Sequence, residues 1–308
     1  MALQAKDLIS ISDLLPAEVG EIFDLTARLK SGNRILADEP LKGKTIGLLF
    51  QKPSLRTKVS FAAAMAQLGG IGIYLAPNEV KLGEREETRD VARTLSRYLD
   101  GIVARTFKHE DIHQLAKYAD IPVINGLSDF SHPCQALTDL YTVKEKKGGL
   151  KDLKIAYVGD GNNVCNSLLY ICAMLGVDIT VASPKGYEPD RTVFKSAVES
   201  GKNTGAEIKI THDPSAAVSG ADVIYTDVWT SMGQEKQKAK RIKAFKGFQV
   251  NKKLCSKAAP EHIIMHCLPA HRGEEISDEC IEGVHSVVFD QAENRLHVEK
   301  AVLLLLLK

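Results

Sequence analysis

Short apolar runs alternate with helix-length stretches along nearly the whole chain, and no other feature limits the fold as strongly. Residues 45–50 (TIGLLF), 72–75, 101–104, 122–124, 154–158 (KIAYV), 178–182, 208–211, 223–226, 263–266 and 287–289 read as strands. Residues 55–68, 89–98, 111–118, 134–146, 163–175 and 190–199 read as the helices between them. A strand that returns parallel to its predecessor needs a crossover, and a helix of this length supplies one. The expected fold is therefore α/β, with two doubly wound parallel-sheet domains and an active-site cleft between them. The charged stretch 144–152 (KEKKGGLKD), with its paired glycines, marks the boundary. It divides residues 1–147 from 148–289, and residues 290–308 are expected to return to the first domain as a helix. Residues 12–29 read as a further helix capped by Ser12, with Val19, Ile22, Phe23 and Ala27 on one side. The leucines at 303–307 are expected to pack on the body of the protein, because left in water they would drive association.

Charge and cysteine usage remove several function classes. Lys plus Arg number 40 and Asp plus Glu 39, a net charge of +1. Such a chain has no global field for gripping nucleic acid or an anionic membrane, so any anion must be met by a few local cations. The apolar run at 301–307 is far short of the roughly 20 residues that span a bilayer. No basic stretch followed by an apolar core opens the sequence, so no signal peptide is expected. The six cysteines (134, 165, 172, 255, 267 and 280) are scattered and form no CxxC pair. That usage points to a reducing cytoplasm rather than a disulfide framework or a zinc ribbon.

Two glycine motifs resemble nucleotide loops and fail the tests for them. Gly43-Lys44-Thr45 lacks the glycine required five places earlier, where Asp38 stands, and a strand follows where a helix should begin. Gly159-Asp160-Gly161-Asn162-Asn163-Val164 follows a strand, but a dinucleotide fingerprint needs glycine at 164. It reads either as a tight turn with polar caps or as a strand-end loop whose Asn amides bind a polar substrate.

Five segments carry chemistry. In Gln51-Lys52-Pro53-Ser54-Leu55-Arg56-Thr57-Lys58, Ser54 stands at a helix start, where free N–H groups face an anion. Its hydroxyls and the Arg56 fork suit phosphate oxygens, and a plain serine cap beside a surface arginine fits equally well. In Ser131-His132-Pro133-Cys134-Gln135, His132 and Gln135 are spaced to face one site across a helical turn. Arg105 closes the apolar strand IVAR, at a cleft edge or simply in solvent. The loop from Asp227 to Gly233, with Ser231 and Met232, places a carboxylate after a strand, for a cationic substrate or as a polar loop around the one tryptophan. Residues 266–275 (HCLPAHRGEE) set Cys267 between histidines, where basic neighbours depress a thiol pKa, and their spacing fits no zinc site. Asp290-Gln291-Ala292-Glu293-Asn294-Arg295 forms a polar turn before the last helix.

Taken together, these segments resemble the aspartate/ornithine carbamoyltransferase family nearly end to end, from KTIGLLFQKPSLRTKVSF to ENRLH. The Ser54–Thr57 stretch and HPCQ resemble the whole family; residues 227–233 and 266–275 resemble its ornithine branch. The resemblance implies transfer of a carbamoyl group from carbamoyl phosphate to the δ-amine of L-ornithine, giving citrulline and phosphate, with no metal or organic cofactor. It implies that Ser54, Arg56, Thr57 and the Leu55 amide hold the phosphate. Arg105, His132 and Gln135 would grip the carbamoyl group, with Arg295 and the Cys267–Leu268 segment completing that site. Cys267, Arg105 and His132 would be catalytic, and Asn163, Asp227, Ser231 and Met232 would bind ornithine. It further implies a homotrimer, with each site borrowing a polar residue from a neighbouring subunit; by register that residue is Lys81.

The sequence departs from the family pattern at Leu55 and Lys58, where Thr and Arg are usual, and Lys81 replaces the Gln common in the ornithine branch. Leu55 keeps open a carbamoyltransferase for a modified amine such as acetylornithine, succinylornithine or putrescine. The intact Asp227…Ser231-Met232-Gly233 loop speaks for a free α-amino acid instead. A non-catalytic paralogue that only binds carbamoyl phosphate is the remaining alternative, and the full set of catalytic residue types speaks against it.

Overall fold

The computed structural model describes residues 3–32 and 38–307. Its chain divides into two compact units, Met1–Tyr141 with Glu293–Lys308, and Thr142–Ala292. Both divisions fall inside helices rather than at the glycine pair.

The first unit contains α1 (Pro16–Lys30), β1 (Thr45–Phe50), α2 (Leu55–Gln67), β2 (Ile71–Leu75), α3 (Pro77–Val80), α4 (Thr88–Leu95), β3 (Gly101–Arg105), α5 (His109–Tyr118), β4 (Val123–Leu127) and the start of α6 (Pro133–Lys147). The strands form one parallel sheet in the order β2-β1-β3-β4. The chain runs outward from β1 to β2, then restarts at β3 on the other side of β1. That reversal leaves a crevice at the carboxyl ends of β1 and β3, the place where open parallel sheets bind ligands. Leu48, Leu49, Ile102 and Val103 are fully or almost fully buried, as sheet positions covered on both faces must be.

The second unit continues with β5 (Lys154–Val158), α7 (Asn163–Leu175), β6 (Asp178–Ala182), α8 (Arg191–Thr204), β7 (Ile208–Thr211), α9 (Pro214–Val218), β8 (Val223–Thr226), α10 (Lys238–Ala244), α11 (Lys252–Cys255), β9 (Ile263–His266) and α12 (Asp278–Ile281). Its parallel sheet has the order β7-β6-β5-β8-β9, so the reversal lies between β5 and β8. Two parallel sheets wound in this way match the α/β class read from the sequence.

Three local expectations are corrected. Residues 287–289 are not a strand: Val287 donates its N–H to Ile264 O (3.0 Å) beside β9, and α13 (Val288–Leu307) begins at the next residue. Residues 12–29 are not one helix. Ser10 caps a short turn at Ile11–Asp13, and α1 starts only at Pro16, whose fixed φ suits a first helical position. Its buried face is Val19, Ile22, Phe23, Thr26 and Leu29, while Ala27 is exposed. The last helix starts at Val288, so Asp290–Arg295 lies inside it and is not a turn before it, and its expected final residue, Lys308, lies outside the described residues. Leu303, Leu304 and Leu307 are buried, and Lys300 of α13 donates to Gln67 Oε1 at the end of α2 (2.7 Å).

Candidate functional site

The first cluster stands at the reversal of the first sheet. Phe50 and Arg105 are register partners at the ends of β1 and β3, and Gln51 N donates to Arg105 O (2.8 Å). The chain then turns through Pro53 into α2. Ser54 has extended backbone and its Oγ accepts from Thr57 N (3.3 Å), a side-chain cap that aims the first turn's remaining N–H groups outward. This helix is long enough to offer a partial positive charge at its start. Leu55 is 73% exposed. Arg56 is half-buried.

Thr57 is the hub. Its Oγ1 accepts from Arg295 Nη2 (2.7 Å) and from Arg105 Nη1 (3.5 Å). Arg295, on α13, also donates through Nη1 to Gln135 Oε1 (3.3 Å) and through Nε to Glu299 Oε1 (2.8 Å). Gln135 in turn donates to Asp139 (2.8 Å), one helical turn along α6. Thr57, Arg105, His132, Gln135 and Arg295 are all buried. Burial, and then the charges of Arg295, Arg105 and Lys52, hold the His132 imidazole well below its usual pKa and therefore neutral.

Two members of this cluster were missed in the sequence. Lys52 is buried, its ammonium 5.1 Å from the Phe107 ring centroid, and burial with the Arg105 charge lowers its pKa to about 8. Glu299 is fully buried, and burial raises its carboxyl to about 7 although Arg295 pulls the other way. The spacing of Arg295 and Glu299, one turn apart in a helix, was the available signal for the second. Lys81 is exposed at the end of α3, with φ of 40°, and its side chain is not among the cluster's hydrogen-bond partners.

The second cluster stands at the reversal of the other sheet. Asn162 caps α7, its Oδ1 accepting from Val164 N (3.0 Å) and Cys165 N (3.2 Å), and its Nδ2 donates to Asp227 Oδ2 (2.7 Å). The turn is capped as the polar-cap reading expects, and the same amide also reaches Asp227. Gly161 is required for packing: a Cβ there would lie 2.1 Å from Pro189 N. Asn163 is buried in the first turn of the same helix. Cys267 donates its S–H to Asp227 Oδ1 (3.0 Å), so the carboxylate is held from both sides. Ser231 is half-buried and Met232 is 47% exposed on the loop beyond.

Buried neighbours fix this geometry. His266 Nδ1 accepts from Leu268 N (2.9 Å) and its Nε2 faces Glu275 Oε1 (3.1 Å), which assigns the ring proton to Nε2. Asp227, His266 and Cys267 present ligand atoms within 4.8 Å of one another, but both His266 nitrogens are already engaged within the loop. Arg241 ties the preceding loop down, bonding Trp229 O (2.8 Å) and Asp160 Oδ2 (2.9 Å).

Known proteins resemble the chain over its whole length. Residues 6–145 match the carbamoyl-P binding domain model of aspartate/ornithine carbamoyltransferases, and residues 151–306 match the Asp/Orn binding domain model. The ornithine carbamoyltransferase of Pyrococcus abyssi is 52% identical, covering 100% of this chain and 97% of its own. That of Thermus thermophilus is 52% identical, covering 98% of this chain and 97% of its own. The solved ornithine carbamoyltransferase of Pyrococcus furiosus superposes with a TM-score of 0.95 at 51% identity, covering 100% of this chain and 98% of that one. A cluster with two buried arginines at one sheet reversal, a carboxylate–thiol pair at the other and end-to-end likeness agree: the chain belongs to the aspartate/ornithine carbamoyltransferase family.

Proposed function

We infer that the chain is an enzyme that transfers the carbamoyl group of carbamoyl phosphate to the δ-amine of L-ornithine, giving L-citrulline and phosphate. The observation that carries this reading is the Thr57 hub, where two buried guanidinium groups converge beside a capped helix start. The matched carbamoyl-P binding domain supports the donor, and the relatives' names support the acceptor.

Carbamoyl phosphate belongs to the first unit in this proposal. The Leu55 amide, with the Ser54 and Thr57 hydroxyls and the Arg56 fork, receives the phosphate. Arg105, His132 and Gln135, backed by Arg295, receive the carbamoyl group. When the amine attacks, negative charge grows on the carbonyl oxygen, and Arg105 and Thr57 are placed to meet it without reorganising. Neutral His132 can donate from one ring nitrogen, which polarises the carbonyl without adding charge. The leaving phosphate is an anion, so the helix start and Arg56 favour its departure as well as its binding.

Ornithine belongs to the second unit, held by Asn163, Asp227, Ser231 and Met232. A lysine-like amine has a pKa of about 10.4, so at pH 7 roughly one molecule in 2,500 is neutral, equivalent to about 4.6 kcal/mol. Only the neutral amine has a lone pair to attack with. Asp227 attracts the ammonium, and the Asp227–Cys267 pair can pass its proton on. No step calls for a metal or an organic cofactor.

Assembly as a homotrimer is supported by exposed apolar side chains on two adjoining elements. Leu55 (73% exposed) and Val59 (55%) lie on α2, and Ile71 (61%) and Ile73 (45%) lie on the edge strand β2. In the trimer Lys81 of one copy supplies a cation to the site of the next. No described helix is long and apolar enough to cross a membrane, in keeping with action in the cytoplasm. The test is citrulline formation from carbamoyl phosphate against a panel of ornithine, acetylornithine, succinylornithine and putrescine, with light scattering for the trimer. Turnover of ornithine above the others is expected; preference for any other amine, or binding of carbamoyl phosphate without turnover, overturns the reading.

A further inference from the structure

Cys255 ends α11 and Cys280 lies in α12, and their Sγ atoms are 3.8 Å apart. Both are free thiols, 6% and 5% exposed, in an apolar cluster with Val250, Leu254, Ile276 and Ile281. The segments that carry them are already laced by backbone bonds: Val250 N donates to Glu275 O (2.8 Å) and Ser277 N to Val250 O (2.9 Å). A covalent link would therefore join two segments whose relative position the fold has fixed. Disulfide sulfurs stand about 2.0 Å apart, so closure needs an approach of under about 2 Å, within the reach of side-chain rotation. Hydrogen bonding from Cys255 lowers the Cys280 thiol to about 7 and pushes Cys255 up, which makes Cys280 the better nucleophile of the two.

We propose that Cys255 and Cys280 are a site of reversible covalent modification, where a small-molecule disulfide oxidises them to an intrachain disulfide joining α11 to α12. The Cys280 thiolate attacks one sulfur of the oxidant, expelling a thiolate and forming a mixed disulfide. Cys255 then attacks the Cys280 sulfur and expels the second oxidant thiolate. Both protein thiols are oxidised, the S–S bond of the oxidant is reduced to two thiols, and the two protein protons pass to the leaving groups. The new ring encloses β9 and the His266-Cys267-Leu268 segment, so it restrains the part of the chain that carries the thiol of the Asp227–Cys267 pair. Closing a ring of this length removes unfolded-state entropy and raises the melting temperature.

The test uses the full chain, incubated folded with glutathione disulfide about 10 °C below its melting temperature. Free thiols should fall from six to four. Peptide mapping without reductant should join the peptides bearing Cys255 and Cys280, and a phosphine reductant should reverse the link. The melting temperature of the oxidised chain should rise by roughly 5 °C. Cys255→Ala and Cys280→Ala should lose the link and the shift, and retain citrulline formation when reduced. Six thiols persisting at equilibrium, a glutathione adduct that is never resolved, or a link mapped to any other pair overturns the proposal. So does an equal shift in the Cys255→Ala variant, which would show that the stabilisation has another source.

Discussion

Arg295 donates from Nη2 to Thr57 Oγ1 at 2.7 Å, joining the last helix to the second across 238 positions of sequence. The same guanidinium reaches Gln135 and Glu299, so one planar fork sets three side chains at once. Lysine has a single charge point and no fork. Arg295→Lys should therefore raise the KM for carbamoyl phosphate and lower kcat/KM by about 100-fold or more, with little change in the KM for ornithine. Steady-state kinetics with each substrate varied in turn checks this, and an unchanged kcat/KM removes Arg295 from the site.

Arg56 lies in the first turn of α2, where its fork adds to the Leu55 amide that would hold phosphate. Arg56→Ala should lower kcat/KM for carbamoyl phosphate by orders of magnitude, roughly 100- to 1,000-fold. Calorimetry with inorganic phosphate should show weaker binding in the variant. Equal phosphate affinity in variant and parent contradicts the role.

The Cys267 S–H donates to Asp227 at 3.0 Å. If this pair handles the ornithine proton, Cys267→Ala should shift the pH dependence of kcat/KM for ornithine and weaken use of that substrate. The carbamoyl phosphate dependence should move less. A variant that matches the parent in both profile and affinity ends the proton-handling role.

Glu299 is a buried carboxyl raised from 4.5 to about 7, chiefly by burial. The folded state then holds a proton that the unfolded state has released across that interval. Folding stability from this group consequently falls as pH rises from about 4.5 to about 7, and the loss is complete above it. Glu299→Gln keeps an acceptor for Arg295 and cannot ionise. Its melting temperature relative to the parent should climb between about pH 5 and about pH 8. A pH-independent difference would show that Glu299 does not titrate in this range.

Arg241 is the ion partner of Asp160, a carboxyl that burial raises to about 6. Removing one side of a buried pair leaves the other charge uncompensated, at a cost of about 3–5 kcal/mol. Arg241→Met should lower the denaturation midpoint and, by freeing Trp229 O, raise the KM for ornithine more than that for carbamoyl phosphate. Denaturant titration and kinetics on the same preparation separate the two effects.

Much of the fold was legible because each strand is a continuous apolar run and each crossover is helix-length, patterns that burial on both faces imposes locally. The runs 45–50, 154–158 and 178–182 match β1, β5 and β6 residue for residue. Residues 287–289 failed because an apolar triplet before a polar turn reads the same as a strand or as the buried first turn of a helix. Ser12 failed as a cap because Ser10, two residues earlier, carries the capping interaction, and the proline at 16 sets the start of α1. The segments that carry the proposed site were visible as motifs, since a turn and a helix start are local chemistry.

Lys52 and Glu299 were not visible, because what distinguishes them is burial beside cations that arrive from distant parts of the chain. By itself the sequence determined the α/β class, the positions of the strand ends and the residue types available there, since these follow from periodicity and backbone stereochemistry. Only the tertiary structure decided which of those ends meet: Phe50 beside Arg105 at one sheet reversal, Asn162 beside Asp227 at the other. The order of strands in a sheet depends on contacts between segments far apart in the chain, and local pattern carries no record of them.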